Sequence, residues 1–116
     1  DNTFSVAYQA LAFAYIRNGD KPKAFKTLET AKNIVKNDAQ NHYYYAVMQN
    51  DSGKSKEAIA TIMKALKTYP NNEQLLTLAY SIYSNRGDSV EAKNVLNILV
   101  KVFPSSKQYQ QIKNSN

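Results

Sequence analysis

Apolar residues in this chain recur at three- and four-residue spacing over stretches of a dozen or more positions, separated by short polar turns. That is the period of a helix with one buried face. The clearest case is residues 21–35. Ala24, Phe25, Leu28, Ala31, Ile34 and Val35 share an inner stripe there, and Lys21, Lys23, Lys26, Glu29, Lys32 and Lys36 fall mostly outside it. Pro22 stands in the first turn, where a missing N–H breaks no helix bond. Further helices are predicted over 3–17, 39–50, 55–68 and 89–102, another starting at Asn71-Asn72, and a short one over 107–113. Thr3 or Ser5 is expected to cap the first, and Lys36-Asn37-Asp38 offers caps for the third. The stretch at 3–17 stands apart. It runs Phe4, Val6, Ala7, Tyr8, Ala10, Leu11, Ala12, Phe13, Ala14, Tyr15, Ile16 almost without a polar break. A helix apolar all round is expected to be buried all round.

The helical pattern itself repeats. Gly19, Gly53 and Gly87 are spaced by 34, and Ala24, Ala58 and Ala92 follow five residues after each. Leu28, Ile62 and Leu96 come four later, then Ala31, Ala65 and Leu99. Pro70 and Pro104 close the second and third copies, with Lys36 at the matching place in the first. A period near 34 with helix, turn and helix in each unit is the signature of a stacked repeat architecture.

These marks resemble the tetratricopeptide repeat family, and the resemblance covers nearly the whole chain. Copy one supplies Tyr8, Leu11, Ala12, Tyr15, Gly19, Ala24, Leu28 and Ala31. Copy two supplies His42, Tyr45, Ala46, Gly53, Ala58, Ile62, Ala65 and Pro70, with Gln49 where the family usually has an aromatic. Strict phasing in copy three would put Ala79 at a large position and Tyr80 at a small one. A one-residue shift gives Leu75, Leu78, Ala79 and Ile82, with the extra residue expected in the turn Ser84-Asn85-Arg86-Gly87. The resemblance implies an all-α, right-handed superhelical solenoid. Three helix-turn-helix repeats (about 3–36, 37–70 and 71–104) would fill residues 1–104, and 105–116 would form a short C-terminal capping helix with a frayed tail at 114–116. The broad apolar face Val90, Ala92, Val95, Leu96, Ile98, Leu99, Val100 and Val102 needs such a cap, because terminal repeats require a polar outer surface. Tyr109 and Ile112, three apart on one side, are suited to cover it.

Length and charge narrow the classes. At 116 residues the chain is about the minimum for a continuous solenoid core. No apolar run approaches the roughly 18 residues that span a bilayer, so no membrane insertion is expected. The chain opens on Asp1 rather than Met and is expected to be a processed product or an excised piece. The net charge of +6 comes from thirteen Lys and two Arg. Hydrated lysine charge on outer helix faces suits solvent better than specific phosphate recognition, which more often uses arginine. Nucleic-acid binding through those faces is an alternative rather than the leading reading. With no cysteine there is no disulfide framework or thiolate metal site, and the compartment, cytoplasmic or periplasmic, stays open.

The chemistry of an active site is not encoded. One histidine, His42, and nine scattered carboxylates form no recognised motif, and the single-glycine turns lack the spacing that cradles phosphate. Asn50-Asp51-Ser52 is formally a glycosylation acceptor in a context that does not favour it. No enzyme, cofactor or metal is expected.

In the family, the first helices of successive repeats line a concave groove for a partner peptide. The matching positions are Val6, Gln9, Phe13 and Ile16, then Gln40, Tyr43, Val47 and Asn50 with Tyr44 beside them, then Glu73, Leu76, Tyr80 and Tyr83. Aromatic and aliphatic residues with amides, nearly without charge, imply a weakly charged peptide or a neighbouring domain as ligand. Relatives that grip acidic chaperone tails use a lysine and asparagine clamp. The positions here are Gln9, Phe13, Tyr44, then Gln74 and Leu78 or Glu73 and Thr77, so the clamp is missing. NHYYYAVMQNDSG followed by YPNNEQLLTLAYSIYSNRGD is also similar to the repeat segment at the C-terminal end of bacterial multihaem c-type cytochrome-like envelope proteins. The apolar first helix adds a second role to consider, an assembly segment pairing with another copy or with a missing N-terminal part of a longer chain.

Overall fold

The computed structural model describes residues 2–34 and 39–115. Among them every regular element is an α-helix. In order these are α1 (Asn2–Arg17), α2 (Lys21–Ile34), α3 (Ala39–Asp51), α4 (Ser55–Thr68), α5 (Glu73–Arg86), α6 (Ser89–Val102) and α7 (Lys107–Ser115). Helices pack most heavily in hairpins, α1 on α2, α3 on α4 and α5 on α6. Lighter contacts join α2 to α3, α4 to α5 and α6 to α7, and α3 also touches α1 and α5. Each hairpin therefore rests on its sequence neighbours, the layout of a helical-repeat solenoid.

The hairpins share one turn. Gly19, Gly53 and Gly87 have φ of 77°, 80° and 79°, the left-handed region where a Cβ is costly. In each, the glycine N–H donates to the carbonyl three residues back and the next residue's N–H to the carbonyl five back: Gly19 to Ile16 and Asp20 to Tyr15, Gly53 to Asn50 and Lys54 to Gln49, Gly87 to Ser84 and Asp88 to Tyr83. This paired closure satisfies carbonyls that a helix end otherwise orphans. Side chains cap several starts. Asp20 Oδ1 accepts from the Lys23 N–H at 3.2 Å, Asn72 Oδ1 from Leu75 N–H at 3.0 Å, and Ser106 Oγ from Tyr109 N–H at 3.3 Å. Helices α4 and α6 are closed by Tyr69 and Phe103, which leave the helical region (φ −125°, ψ 66° and φ −121°, ψ 66°) and are each followed by proline. Helix α1 already includes Thr3 and Ser5, so neither precedes it as a cap, and Lys36-Asn37-Asp38 lies outside the described residues.

Small residues sit where the hairpin helices cross. Ala12 and Ala24, Ala46 and Ala58, and Ala79 and Ala92 are all at most 6% exposed. Ala79 occupies this place, as the one-residue shift requires. The extra residue enters the helix rather than the turn, since α5 runs to Arg86 directly before Gly87, whereas α1 and α3 stop two residues before their glycines. The position usually held by an aromatic is explained as well. Gln49 Oε1 accepts from Thr61 Oγ1 at 2.6 Å, so the amide oxygen is satisfied by the partner helix of its own hairpin.

Packing is uneven along the solenoid. One cluster joins the second and third hairpins through Ala46, Ala58, Ile62, Ala65, Leu75, Leu76, Ala79, Ile82, Val95, Leu96 and Leu99. The first hairpin has a smaller cluster of Ala12, Ala24 and Leu28, joined by Met48 from α3. Two expectations need correction here. Helix α1 is not buried all round, with Val6 at 61%, Leu11 at 44% and Phe13 at 40% exposure, because among the described residues only α2 and α3 pack against it. The C-terminal tail is not frayed through 114 and 115, which complete α7.

Helix α7 docks as a cap. Tyr109 is buried in the main cluster, Ile112 packs against it, and Phe103 meets the Tyr109 ring at 6.3 Å. The Tyr109 hydroxyl donates to Glu73 Oε2 at the start of α5, which ties the cap to the third hairpin. Cover is partial, since Val90 and Ile98 on α6 remain exposed. Burial, the hydrogen bond to Glu73 and that carboxylate's charge push Tyr109 from 10.0 up to about 12. A folded value above the unfolded one means stability that is complete below pH 10 and is lost as pH rises through about 12.

Two outcomes follow from this packing. Ala58→Leu should overpack the central crossing by about 1–3 kcal/mol, more than Ala92→Leu at the less enclosed third crossing, read as urea midpoints. Equal losses would contradict the layout. Tyr109→Phe should cost about 1 kcal/mol at neutral pH. Unlike the parent, it should also lack the tyrosine-linked stability loss as alkaline pH passes through the Tyr109 range, so the difference between the two unfolding curves shrinks there.

Candidate functional site

The first helices of the first two hairpins leave a cleft between them. Helix α1 contributes Gln9, Ala12, Phe13 and Ile16, α2 contributes Leu28, and α3 contributes Tyr44, Val47, Met48 and Asp51, around a cavity of about 170 Å³. Its floor is the small core of the first hairpin, and its walls are mainly apolar. Phe13 and Tyr44 meet edge to face at 4.7 Å, and Tyr43 stands edge-on to Tyr44 at 5.3 Å, so the aromatic rim is braced on one side. Gln9 Nε2 donates to Oδ1 of the fully buried Asn41 at 2.9 Å, spanning α1 and α3 beneath the cleft. Asp51 is exposed at one end, where a small adjoining hollow also holds Lys21.

Of the residues predicted to line a groove, the structure gathers Gln9, Phe13, Ile16, Tyr44 and Val47 here. It adds Ala12, Leu28, Met48 and Asp51. Ala12 and Leu28 were legible as core, and a cleft that reaches the core necessarily borrows its floor. The remaining predicted residues lie elsewhere. Leu76 is 1% exposed and belongs to the main core, a correction to its placement in a groove. Tyr43, Tyr80 and Tyr83 are half-buried against that same core. Tyr80 also lines a second, more open hollow of about 520 Å³ with Ser84, Ala92, Leu96 and Lys113, between the third hairpin and α7. Asn50 is half-buried on α3, and its carbonyl accepts from Gly53 N–H. Glu73 serves the Tyr109 contact instead of a groove. Phe13 and Tyr80 therefore belong to separate hollows.

The electrostatics are those of a mild surface. Burial, then the charge of Glu29, raises the Tyr45 hydroxyl above 10.0, and burial with Glu91 and Asp88 does the same for Tyr83. Both phenols therefore stay neutral across the physiological range. Among the described residues, no group of three or more His, Asp or Glu side chains is placed to hold a metal, and no helix is long and apolar enough to cross a membrane. Arg86, unremarked in the sequence, bridges two turns: its Nε bonds Asp88 at 2.8 Å and its Nη1 bonds Ser55 Oγ at 2.7 Å. A charged residue at a helix end gives no sequence sign of a partner 31 positions away.

Stacked hairpins with small-residue crossings, presenting a cleft between first helices, define a helical-repeat protein-interaction module. The chain belongs to the tetratricopeptide repeat family: models of that repeat match residues 39–72 and 75–106, the second and third hairpins. Solved structures agree on the fold. The Yersinia enterocolitica type III secretion chaperone SycD, in complex with a peptide of the translocator YopD, superposes with a TM-score of 0.78 at 15% identity, over 99% of this chain and 87% of that one. A second structure of the Yersinia enterocolitica translocator chaperone SycD gives 0.79 at 15% identity, over 98% and 84%. A tetratricopeptide repeat protein from Parabacteroides merdae gives 0.81 at 19% identity over 97% of this chain, which spans 45% of its length. No curated protein sequence matches the chain.

Proposed function

We propose that this chain is a non-catalytic protein-interaction module that takes a weakly charged peptide in its concave groove, with the α1–α3 cleft as the anchoring site. The observation that carries this reading is the cleft's size and lining. A dry apolar cavity of about 150 Å³ holds a benzene ring. A hollow of about 170 Å³ walled by Phe13, Ile16, Tyr44, Val47 and Met48 thus matches one leucine or phenylalanine side chain. Rigid aromatics supply contact area at low entropic cost. Asp51 and Lys21 at the end offer one charge of each sign, which suits a peptide of low net charge better than an acidic tail. Support from outside the chain is of one kind: SycD, which shares the fold, is described with a translocator peptide bound.

The lysines are the competing surface. They lie on outer faces such as Lys23 and Lys26 of α2, both exposed and neither lining the cleft. Nucleic-acid binding there would weaken steeply between about 50 and 200 mM salt.

The test is selection of a random peptide display library on the intact chain, followed by titration of an enriched peptide. Enriched sequences should carry a bulky apolar residue amid few charges. Phe13→Ala combined with Tyr44→Ala should remove at least about 2 kcal/mol of binding, the scale of a hot spot. Lys23→Gln with Lys26→Gln should change affinity little, since rim charges act chiefly on association rate and salt response. Binding lost with the lysines and kept without the two aromatics would reject the groove.

A further inference from the structure

The hollow between the third hairpin and α7 differs in chemistry from the α1–α3 cleft. Its volume is about 520 Å³, and Lys93 of α6 and Lys113 of α7 line it with the hydroxyl-bearing Tyr80, Ser84 and Ser89 and with no carboxylate among the described lining residues. Both lysines are exposed. Neither has an acid three or four residues away on its own helix, and the ion pairs among the described residues are Lys23 with Asp20 and Arg86 with Asp88. Asp88, next to the lining in sequence, is thus already engaged. Two ammonium groups from different helices share one hollow with no carboxylate of the chain beside them.

The internal repeat shows that this charge is a departure. A step of 34 carries Phe25 onto Ile59 and then onto Lys93. Phe25 meets Tyr45 at 5.7 Å and Ile59 leans on the main cluster, so two repeats pack an apolar side chain where the third presents a cation. The repeat also relates the hollow to the cleft. Tyr80 directly follows Ala79 as Phe13 follows Ala12, and Leu96 comes four after Ala92 as Leu28 comes four after Ala24. Phe13 and Leu28 line the cleft, and Tyr80 and Leu96 line the hollow. Stacked repeats keep equivalent positions on one side of a solenoid, so both openings lie along the same face.

We propose that the hollow takes a carboxylate of the same peptide whose apolar side chain enters the α1–α3 cleft, with Lys93 and Lys113 pairing to it. The inference rests on the groove reading and sharpens it: the ligand carries an apolar anchor and, a set distance along, one negative charge. Charge complementarity is the first reason. No arginine lines the hollow, which disfavours the planar, bidentate grip typical of phosphate and nucleic-acid sites, whereas compact ammonium charges beside hydroxyls suit a carboxylate. Linkage is the second, because an anchored peptide meets the lysines at high effective concentration, which offsets the weakness of an exposed ion pair. Neighbouring helices pack about 10 Å apart, so two repeats separate the openings by about 20 Å. An extended peptide covers that in about six residues.

Fluorescence anisotropy on the intact chain tests this with labelled, C-terminally amidated Gly-Ser peptides carrying one Phe and one Glu about two to nine residues apart, in both orders. At about 50 mM salt the Glu peptide should bind about fivefold more tightly than its Gln counterpart at a separation near six, and the gain should shrink at about 300 mM. Lys93→Gln combined with Lys113→Gln should abolish the gain and leave the affinity of the Gln peptide unchanged. Lys56→Gln with Lys101→Gln, an equal loss of charge at exposed sites outside the hollow, should keep it. A Gln peptide ending in a free carboxylate at the same separation distinguishes a chain terminus from an acidic side chain, and a lysine-dependent gain from either supports the site. No gain from either source, a gain indifferent to separation, or one that survives loss of both lysines overturns the proposal. So does a lysine-dependent preference for a labelled oligodeoxythymidine over the Glu peptide. Phe-dependent binding without the gain removes this inference alone, whereas binding indifferent to Phe removes the groove reading with it.

Discussion

The fold depends on close approach of two backbones at a pair of alanines. In each hairpin one alanine from the first helix meets the crossing with one from the second, and none of the six is more than 6% exposed. A larger side chain there separates the helices, and the hydrophobic stripes behind the crossing then no longer meet. The glycine turn serves this contact by reversing the chain at one fixed length. The third hairpin shows which constraint is dominant. An extra residue in α5 changes the spacing between the paired alanines from twelve to thirteen, yet Ala79 and Ala92 remain at most 6% exposed and the turn at Gly87 keeps the hydrogen bonds of its siblings. The helix absorbs the insertion so that neither the turn nor the crossing has to.

Much of this was legible because it is local or periodic. Helices α4 and α6 start and stop where their turn and proline signals put them, and the register of α5 follows from the steric demand for a small residue at one position. What escaped the sequence is long-range. Helix α1 reads as a buried helix because its composition says so, but burial needs a neighbour, and composition does not supply one. The extension of α7 to Ser115 and the Glu73 contact of Tyr109 depend on a meeting between residues 36 apart. Leu76 was misplaced because the repeat pattern marks which side of a helix faces the groove without saying how tightly the next hairpin closes over it.

The same limit governs the site. Family positions recur in all three hairpins, but their surroundings do not. Gln9, Tyr43 and Leu76 are equivalent by register. Gln9 borders an open cleft, Tyr43 leans on the core and Leu76 is sealed within it. Burial at this position rises toward the C-terminus as the main cluster takes over the packing. Five of the predicted groove residues converge because they lie at the end where the core is thin, and the tyrosines of the third hairpin are held elsewhere by packing.

That gradient connects stability to function. A solenoid's stability is close to a sum over repeats and their interfaces, so the hairpin whose described core is smallest and which, among the described residues, meets one neighbouring hairpin is the one most free to adjust. Sites that must admit a ligand are drawn from such regions, because accommodating a side chain requires local give that a close-packed core refuses. The first hairpin has both an open cleft toward α3 and a bare face on the other side of α1. The two surfaces lie on opposite sides of one helix: Phe13, Gln9 and Ile16 turn toward the cleft, while Ala7, Ala10 and Leu11 turn away from α3. Material packed on the bare face would restrain α1, and α1 is one wall of the cleft.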